Sequence, residues 1–330
     1  MFSAIYIEEE VAGFARVEAL LARFPDIPQI QCERYGEIFN RKAQNFRLQK
    51  RNPALILAKK YGNLVLPAPI GYGFNSNQSY YFSHMLNCVY DCRYCFLQGM
   101  YRSANTVLFV NYEDFVESIR ENIAVESAAT VFYSGYDCDS LALEPVSAFT
   151  EYFVPFFSSE QNAVLELRTK STQIRNLLNS EPSPNVVIAM SFTLAAVADK
   201  WEHKVPSVEK RLLALKRLQD HGWPVALRFE PLISPPGATM VAFEDFFRDV
   251  FSRLEPEKLH SVSTGMFRMP QEFYKNILTL YPDEELFARK ISVEDGMVYL
   301  SAGDEAEVLD SVKQTLFQFI SPRQYYHCTL

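Results

Sequence analysis

Cys88, Cys92 and Cys95 lie within eight residues of one another, in the spacing CxxxCxxC. The N-terminus has no basic segment and only a short apolar stretch, which predicts no signal peptide and a cytoplasmic location. In a reducing compartment, three crowded cysteines are not a disulfide framework. The crowding therefore predicts a site whose chemistry depends on thiolates.

Three closely spaced thiolates can hold three irons of a cubane [4Fe-4S] cluster, whereas an electron-transfer cluster takes four cysteines. The missing fourth ligand would leave one iron open to a substrate or cofactor, as an open position distinguishes catalytic zinc sites from structural ones. The alternatives are a zinc site completed by His84 or a distant residue, and a redox CxxC pair. Unligated core cysteines are the least favoured, because a polar loop gives three thiols no packing role.

From about residue 80, β-rich runs alternate with amphipathic helical stretches, which is the pattern of a parallel α/β layer. A helix is predicted between Ser207 as N-cap and Gly222 as C-terminal stop. Six βα units predict an α/β fold with a partial (β/α)6 TIM-type barrel, in which chemistry gathers at the C-terminal ends of the strands. The six predicted strands are 80–86, 130–134, 164–169, 186–192, 225–230 and 259–264.

The pattern divides the chain into three segments. Residues 1–79 form an N-terminal α/β extension, with a strand at 4–7 and a helix ending near residue 23. Residues 80–268 form the barrel. Residues 269–330 form a C-terminal α+β extension, with a helix from about 270, a hairpin at 291–300 and a helix at 305–320. With 48% hydrophobic and 22% charged residues, the composition is that of a globular protein, and no apolar run is long enough to span a membrane.

One segment differs in charge from the rest of the chain. The net charge is -8, yet residues 38–90 contain no acidic residue. This patch either meets the phosphates of a nucleic acid or forms a solvated face. Its basic residues are Arg41, Lys42, Arg47, Lys50, Arg51, Lys59 and Lys60.

These residues resemble the radical S-adenosylmethionine (SAM) superfamily, whose CxxxCxxC follows the first strand of a partial barrel. Within it, the run from Cys92 to Gln98 resembles the CxYCYLQ of the spore photoproduct lyase-like family, also called DNA repair photolyases. Weaker matches follow in order at 136–140, 168–170, 190–192 and 206–224. The resemblance implies a [4Fe-4S] cluster on the three cysteines, with SAM on the open iron. A reductant such as flavodoxin or ferredoxin would supply one electron, and SAM cleavage would give a 5′-deoxyadenosyl radical that takes a hydrogen atom from the substrate.

The resemblance implies that Cys138 returns a hydrogen atom to the product radical. The S–H bond is weaker than the C–H bond formed, so this donation is downhill. Asp137 and Asp139 would raise the thiol pKa and keep the hydrogen in place, and the Asp-Cys-Asp run predicts an exposed loop. The alternative is a buried, small hydrophobic residue. Tyr94 keeps the first tyrosine of the family pattern and is the second catalytic candidate.

Five further residues are implied as cofactor ligands. Ser140, Lys170 and Ser191 each follow or end a predicted strand and would contact SAM, although a residue of this kind taken alone is more often a cap or a surface group. Arg228 and Glu230 alternate with apolar residues on the fifth strand, which places both on one face. They form either a SAM or substrate clamp at the barrel mouth or an outward salt bridge.

Two positions depart from the patterns. Phe96 replaces the family's second tyrosine, so no O–H hydrogen is available there, and Tyr90, Tyr133 or Tyr136 would have to substitute unless SAM is consumed. The superfamily's usual GGE-like motif is absent, as it is in the lyases. No role is predicted for Cys32 or Cys328.

The resemblance implies a carbon–carbon lyase that repairs a UV thymine lesion in DNA, with the lesion turned out of the base stack. One alternative is a radical SAM enzyme acting on another nucleic acid, a peptide or a small molecule, which Phe96 and the acidic net charge favour. The other is a non-catalytic, metal-stabilised nucleic-acid-binding protein.

Overall fold

The computed structural model describes residues 2–74, 79–126, 128–234, 240–300 and 305–329. Its strands, in chain order, are β1 (Ile5–Glu8), β2 (Gln29–Cys32), β3 (Leu55–Ala58), β4 (Leu66–Pro67), β5 (Ser79–Phe82), β6 (Met85–Leu86), β7 (Asp91–Cys92), β8 (Thr106–Phe109), β9 (Thr130–Ser134), β10 (Ala163–Thr169), β11 (Val186–Ser191), β12 (Glu202–His203), β13 (Val225–Leu232), β14 (Ser261–Met266), β15 (Arg268–Pro270), β16 (Ile291–Glu294), β17 (Met297–Leu300) and β18 (Tyr325–His327).

The helices are α1 (Ala15–Leu21), α2 (Gly36–Phe39), α3 (Phe46–Arg51), α4 (Leu97–Met100), α5 (Tyr112–Val125), α6 (Glu144–Ser147), α7 (Phe149–Ser159), α8 (Arg175–Leu178), α9 (Ala195–Trp201), α10 (Val208–His221), α11 (Met240–Arg253), α12 (Gln271–Leu280) and α13 (Glu305–Leu316). Short 3-10 helices lie at Glu9–Val11, Pro256–Lys258, Glu285–Ala288 and Pro322–Gln324.

The largest sheet is a curled half-barrel with the strand order β4-β5-β9-β10-β11-β13-β14-β18. The run from β5 to β18 is parallel, and β4 pairs antiparallel with β5 at one edge. Its central strands are almost wholly buried; in β11 only the last residue is not. Buried parallel strands need apolar side chains on both faces, which is why they read as continuous apolar runs in the sequence. The predicted partial barrel is confirmed.

Most predicted strands match the observed ones within about two residues. The exception is 80–86, which divides into β5 in the barrel sheet and β6 in the N-terminal sheet. Ser83 and His84 separate the two strands, and Asn87 ends β6 with a positive φ of 72°. The chain therefore leaves the barrel just before the cysteine loop begins.

Helix α10 confirms the predicted caps. The Ser207 side chain accepts a hydrogen bond from the backbone N–H of Lys210, and Gly222 ends the helix with a φ of 104°. Only glycine adopts that conformation without strain. The apolar face of the helix, including Leu212 and Leu215, is buried in the main core.

The N-terminal sheet has the order β2-β1-β3-β8-β6. It contains the strand predicted at 4–7 and takes β6 and β8 from the segment predicted as the barrel. At the other end, β18 adds the last segment to the barrel sheet. The segment boundaries stay predictions, but the three segments share sheets, and this brings side chains from both ends of the chain to the barrel.

The C-terminal segment follows its predicted pattern. Helix α12 begins one residue after Pro270, the hairpin forms as β16 and β17 with β15 as a third strand, and α13 ends at Leu316. None of the helices that the structure describes combines the length and the apolar character that a bilayer span needs.

Candidate active site

A cavity of about 410 Å³ opens beside the C-terminal ends of the barrel strands. Its lining comes from strand ends and the loops that follow them, where catalytic groups of barrel enzymes gather. All three clustered cysteines line it, and so does Cys138. Residues implied by separate parts of the sequence are therefore brought to one site.

Local hydrogen bonds shape the cysteine loop. Cys92 lies in β7, which pairs antiparallel with β12. The Cys95 N–H donates to the Cys92 carbonyl at 3.1 Å, forming a turn. The side-chain amide of Gln98 donates to the same carbonyl at 2.9 Å and to Asp91 at 2.8 Å. Gln98 accepts in turn from the Tyr281 hydroxyl at 2.9 Å, so the C-terminal segment supports the loop.

Two lysines lie close to the cysteine loop. The Lys50 ammonium donates to the Cys88 carbonyl at 2.5 Å and is 4% exposed. Burial acts to lower the pKa of Lys170, but the neighbouring Cys92 and Glu202 outweigh burial and raise it. Burial raises the pKa of Cys88 to about 12. A buried thiolate therefore needs cationic partners here, and Lys170 and a bound metal cluster would supply them. Burial lowers the pKa of Lys50, although the neighbouring Cys88 and Asp91 act to raise it.

The donor set fits the implied [4Fe-4S] cluster. Each cysteine of a cubane binds a different iron, so the relevant observation is that all three cysteines line one cavity. Tyr90, Tyr94 and Phe96 line the same cavity and would limit the access of water to the cluster. Within the described ranges, no three His, Cys, Asp or Glu side chains are grouped to hold a single metal ion.

His84, the candidate fourth ligand of a zinc site, is packed elsewhere. Its ring stacks on Phe149 at 4.0 Å and is fully buried. Neither ring nitrogen has a hydrogen-bond partner among the residues that the structure describes. Burial lowers the pKa of His84 to about 3, so the ring is neutral. His84 is not among the residues that line the cavity.

The loop that carries Cys138 is buried, although the sequence predicts an exposed loop. Asp137 and Asp139 are each 8% exposed and Cys138 is 5% exposed. The loop folds inward because its acids find donors there. Asp139 accepts from the Thr169 hydroxyl and the Lys170 N–H, both at 2.7 Å. Asp137 accepts from Ser83 at 2.7 Å.

The thiol of Cys138 is held in its protonated form. Burial raises its pKa well above the usual value, and Cys88, Asp137 and Asp139 add to the shift. The predicted effect of the flanking acids is present, but burial is the larger cause. A thiol in this environment retains its hydrogen atom.

The implied SAM ligands divide between the cavity wall and the layer beneath it. Lys170 and Ser191 line the cavity. Ser140 is fully buried, and its hydroxyl lies 2.8 Å from that of Ser134. Gly135 lies directly against it, because a Cβ at position 135 would come within 2.6 Å of the Ser140 hydroxyl oxygen.

Tyr94 is buried and lines the cavity. Its hydroxyl donates to Glu202, which also accepts from Arg211 at 2.5 Å. The Lys170 ammonium lies 5.5 Å from the centre of the Tyr94 ring. Burial raises the pKa of Tyr94 well above its usual value, with Glu202 adding to the shift. The phenol therefore stays protonated beside the cysteine loop.

Arg228 and Glu230 lie on the same face of β13 but at different depths. Arg228 is fully buried and forms a paired contact with Glu166, at 2.9 and 3.1 Å. Burial acts to raise the pKa of Glu166, but Arg228 and Arg168 outweigh it and lower it to about 2. Glu230 lines the cavity and accepts from Arg168 at 3.2 Å. Neither alternative from the sequence describes Arg228, which forms an inward salt bridge.

Replacing Arg228 with alanine is expected to lower the free energy of unfolding by about 3 kcal/mol, because Glu166 would stay buried with one of its two partners removed. Urea denaturation measures the loss. Arg253→Ala is the matched control, since Arg253 pairs with Glu209 on the surface, and a loss below about 1 kcal/mol is expected there. Equal losses for the two variants would contradict the account of the buried pair.

The structure separates the three tyrosines that are candidates to supply the hydroxyl that Phe96 lacks. Tyr90 and Tyr136 line the cavity. The Tyr136 ring lies 5.8 Å from the Phe96 ring, and burial raises the pKa of Tyr136 to about 12. Tyr133 is fully buried behind them and donates to the Phe74 carbonyl at 3.2 Å. Tyr133 is not a cavity residue.

Several cavity residues were not identified from the sequence. In the sequence, Lys50 is only one member of the basic patch, and Arg168 is only part of the weak family match at 168–170. Arg268 lies in β15, where the predicted barrel segment ends, Cys328 lies near the end of the chain, and both line the cavity. No sequence pattern marks these residues, because only the shared sheets bring them close.

The basic segment does not form one surface. Lys50 is buried beside Cys88, and Lys59 pairs with Glu10 at 3.3 Å. Lys60 is half-buried. The exposed members are Arg41, Lys42, Arg47 and Arg51.

A family model and several solved structures match the chain. The sequence model of the family described as spore photoproduct lyase matches residues 75–286. The fold is similar to that of a spore photoproduct lyase mutant with bound AdoMet and dinucleoside spore photoproduct, with a TM-score of 0.85 at 17% identity, covering 100% of this chain and 99% of that one. A spore photoproduct lyase complexed with dinucleoside spore photoproduct gives a TM-score of 0.84 at 17% identity, with 99% of each chain covered. No curated protein matches the chain in sequence.

Proposed function

The chain belongs to the spore photoproduct lyase family, and we propose that it is a radical SAM lyase that repairs a thymine photolesion in DNA. One observation carries the proposal: Cys88, Cys92 and Cys95 line the same cavity as the Cys138 thiol. A centre that starts radical chemistry and a group that ends it would then share one substrate site.

Cys88, Cys92 and Cys95 would hold the cluster. When bound, the cluster and SAM supply a one-electron cleavage and a carbon radical that takes hydrogen from the substrate. Flavodoxin or ferredoxin is the proposed reductant, and the reducing cytoplasm is the proposed location. The residues of the chain would bind and orient the cluster and SAM, and would exclude water from them.

Lys170 and Ser191 are the proposed SAM ligands at the cavity wall. The Lys170 ammonium suits the SAM carboxylate, and its raised pKa keeps it charged. Ser140, one layer deeper, would support the loop rather than contact the ligand directly. Tyr94 would hold the Lys170 side chain between its ring and Glu202.

Lys170→Met is expected to weaken SAM binding by about 10- to 100-fold, the usual cost of losing a charge-assisted hydrogen bond. Anaerobic equilibrium dialysis with the reconstituted protein measures the affinity. Lys200→Met is the matched control, because Lys200 is an exposed lysine that pairs with Glu285 on the surface. If Lys170→Met bound SAM as tightly as Lys200→Met does, the assigned role of Lys170 would be wrong.

Cys138 would end the reaction by donating the hydrogen atom on its sulfur to the product carbon radical. The exposed Arg41, Lys42, Arg47 and Arg51 would meet DNA phosphates outside the cavity. The lesion must leave the base stack to reach the cavity, at a cost of a few kcal/mol. An aromatic lining that includes Phe96 and Tyr136 offers flat surfaces against which an extruded base can stack.

The test is an anaerobic incubation of the reconstituted protein with dithionite, SAM and dinucleoside spore photoproduct. We expect 5′-deoxyadenosine and free thymine-containing product to form together. Cleavage of SAM without repair would contradict the proposed substrate. A colourless protein with one zinc per chain would contradict the enzymatic proposal as a whole.

A further inference from the structure

A second part of the cavity wall is not used by the cysteine loop or by Cys138. It consists of Glu230 on β13, Gly265 on β14 and Arg268 on β15, with Arg168 behind them on β10. Three of these residues, Glu230, Arg268 and Arg168, are charged. Their hydrogen bonds show which of those groups remain able to bind a ligand.

Glu230 is a fixed acceptor. One carboxylate oxygen accepts from Arg168 at 3.2 Å, and the other accepts from the Ser263 hydroxyl. An ionised carboxylate has about four acceptor positions, so these two bonds orient the group and leave acceptor capacity. The side chain is 17% exposed and lines the cavity.

Arg168 is committed to holding Glu230. Its Nε donates to Glu166 at 2.8 Å, and Nη2 donates to the Tyr72 carbonyl at 2.8 Å and to the Tyr326 hydroxyl at 3.2 Å. Its guanidinium also lies 4.0 Å from the centre of the Tyr72 ring. With most of its five N–H groups engaged, Arg168 is a positioning residue, and Glu230 is the group that faces the ligand.

Arg268 supplies donors next to this acceptor. Its Nη2 donates to the Cys328 carbonyl at 2.9 Å, which fixes one side of the guanidinium. Gly265 lies against Glu230 and against Cys328, the residue that holds Arg268, because a Cβ there would come within 3.2 Å of Glu230 Cγ and 3.5 Å of Cys328 Cβ. The absent side chain therefore leaves space beside Glu230 and Cys328, in the cavity that both Glu230 and Arg268 line.

We propose that this acceptor and donor read the imide edge of the lesion base, an inference that rests on the proposed function. Glu230 accepts from the ring N3–H, and Arg268 donates to an adjacent carbonyl oxygen. Thymine and uracil bases carry this C=O, N–H, C=O sequence. Cytosine has a lone pair in place of the N–H, which would face the carboxylate unfavourably. The site would therefore select imide bases and reject cytosine.

The test compares dinucleoside spore photoproduct with an analogue that is methylated at N3 of both thymine-derived rings. Both ligands are measured by equilibrium binding to the reconstituted protein without SAM. The natural protein is expected to bind the analogue about 10- to 100-fold more weakly, the range for a lost hydrogen bond to a charged group. In Glu230→Ala and Glu230→Gln the two ligands should bind within about threefold of each other, since the acceptor that distinguishes them is removed or altered. Ser263→Ala, which loses only one support of Glu230, should keep most of the discrimination.

Each variant is also titrated with SAM, which separates this proposal from a cofactor role. SAM affinity within about twofold of the natural protein is expected. Weakened SAM binding with the discrimination intact would overturn the inference and assign Glu230 to the cofactor. If the natural protein binds both ligands equally and still repairs the lesion, the inference alone would be overturned. Intact SAM cleavage without repair of the lesion would overturn the proposed function and this inference with it.

Discussion

Cys92→Ala is expected to reduce SAM cleavage by the reconstituted protein to background. Cys92 lines the cavity together with Cys88 and Cys95, and a cubane left with two thiolates loses the ligand set that holds it. Cys88→Ala and Cys95→Ala should behave in the same way. Iron and sulfide content, the visible absorption and the yield of 5′-deoxyadenosine measure the loss.

Cys32→Ala is the matched control. Cys32 is also a buried cysteine, but it lies at the end of β2 in the N-terminal sheet. Its replacement should leave four irons per chain and SAM cleavage unchanged. A Cys92→Ala protein that kept both would show that the cluster, if present, is held by other residues.

Cys138→Ala is expected to leave SAM cleavage near its natural level while the yield of repaired thymidine falls by about tenfold or more, in favour of trapped adducts. The substrate radical would still form, but the nearby hydrogen donor would be gone. Cys138→Ser provides the conservative comparison, because an O–H bond is too strong to replace the S–H bond and the small side chain keeps the packing. Chromatography with mass spectrometry of the products measures the partition.

The same thiol predicts how the products depend on pH. Burial raises the pKa of Cys138 well above its usual value, so the hydrogen is fully present below that pKa and would be lost only above it. The share of repaired product should therefore stay constant from about pH 6 to about pH 9. An unchanged product distribution in Cys138→Ala would rule out the donor role.

The family and the fold could be predicted because their signals are local in the sequence. The spacing of Cys88, Cys92 and Cys95, the buried strand runs and the caps of α10 at Ser207 and Gly222 each depend on neighbouring residues. The family match over residues 75–286 confirms the resemblance read from those residues. These features can be predicted from the sequence because no contact with a distant residue is needed to form them.

The rest of the site depends on contacts between distant residues. Lys50 reaches Cys88 from α3, and Arg268 reaches the cavity from β15, pairings that no spacing reveals. Arg228 and Glu230 were correctly placed on one face, yet only the neighbouring strands decide that the first meets Glu166 and the second meets the cavity.

The loop at Cys138 was wrongly predicted to be exposed for a similar reason. Charged residues usually indicate a solvated loop. Here Asp139 is buried because Thr169 and the Lys170 backbone donate to it, and those donors lie about thirty residues further along the chain. The composition of a loop does not indicate which residues will pack against it.

Cys88, Cys92 and Cys95 are proposed to hold an iron–sulfur cluster with one iron available to SAM. Electron paramagnetic resonance of the reduced, reconstituted protein, recorded with and without SAM, tests this most directly. We expect a [4Fe-4S] signal, with about four irons per chain, whose line shape changes when SAM is added. A signal that is insensitive to saturating SAM would contradict it, as would a protein that binds zinc instead of iron.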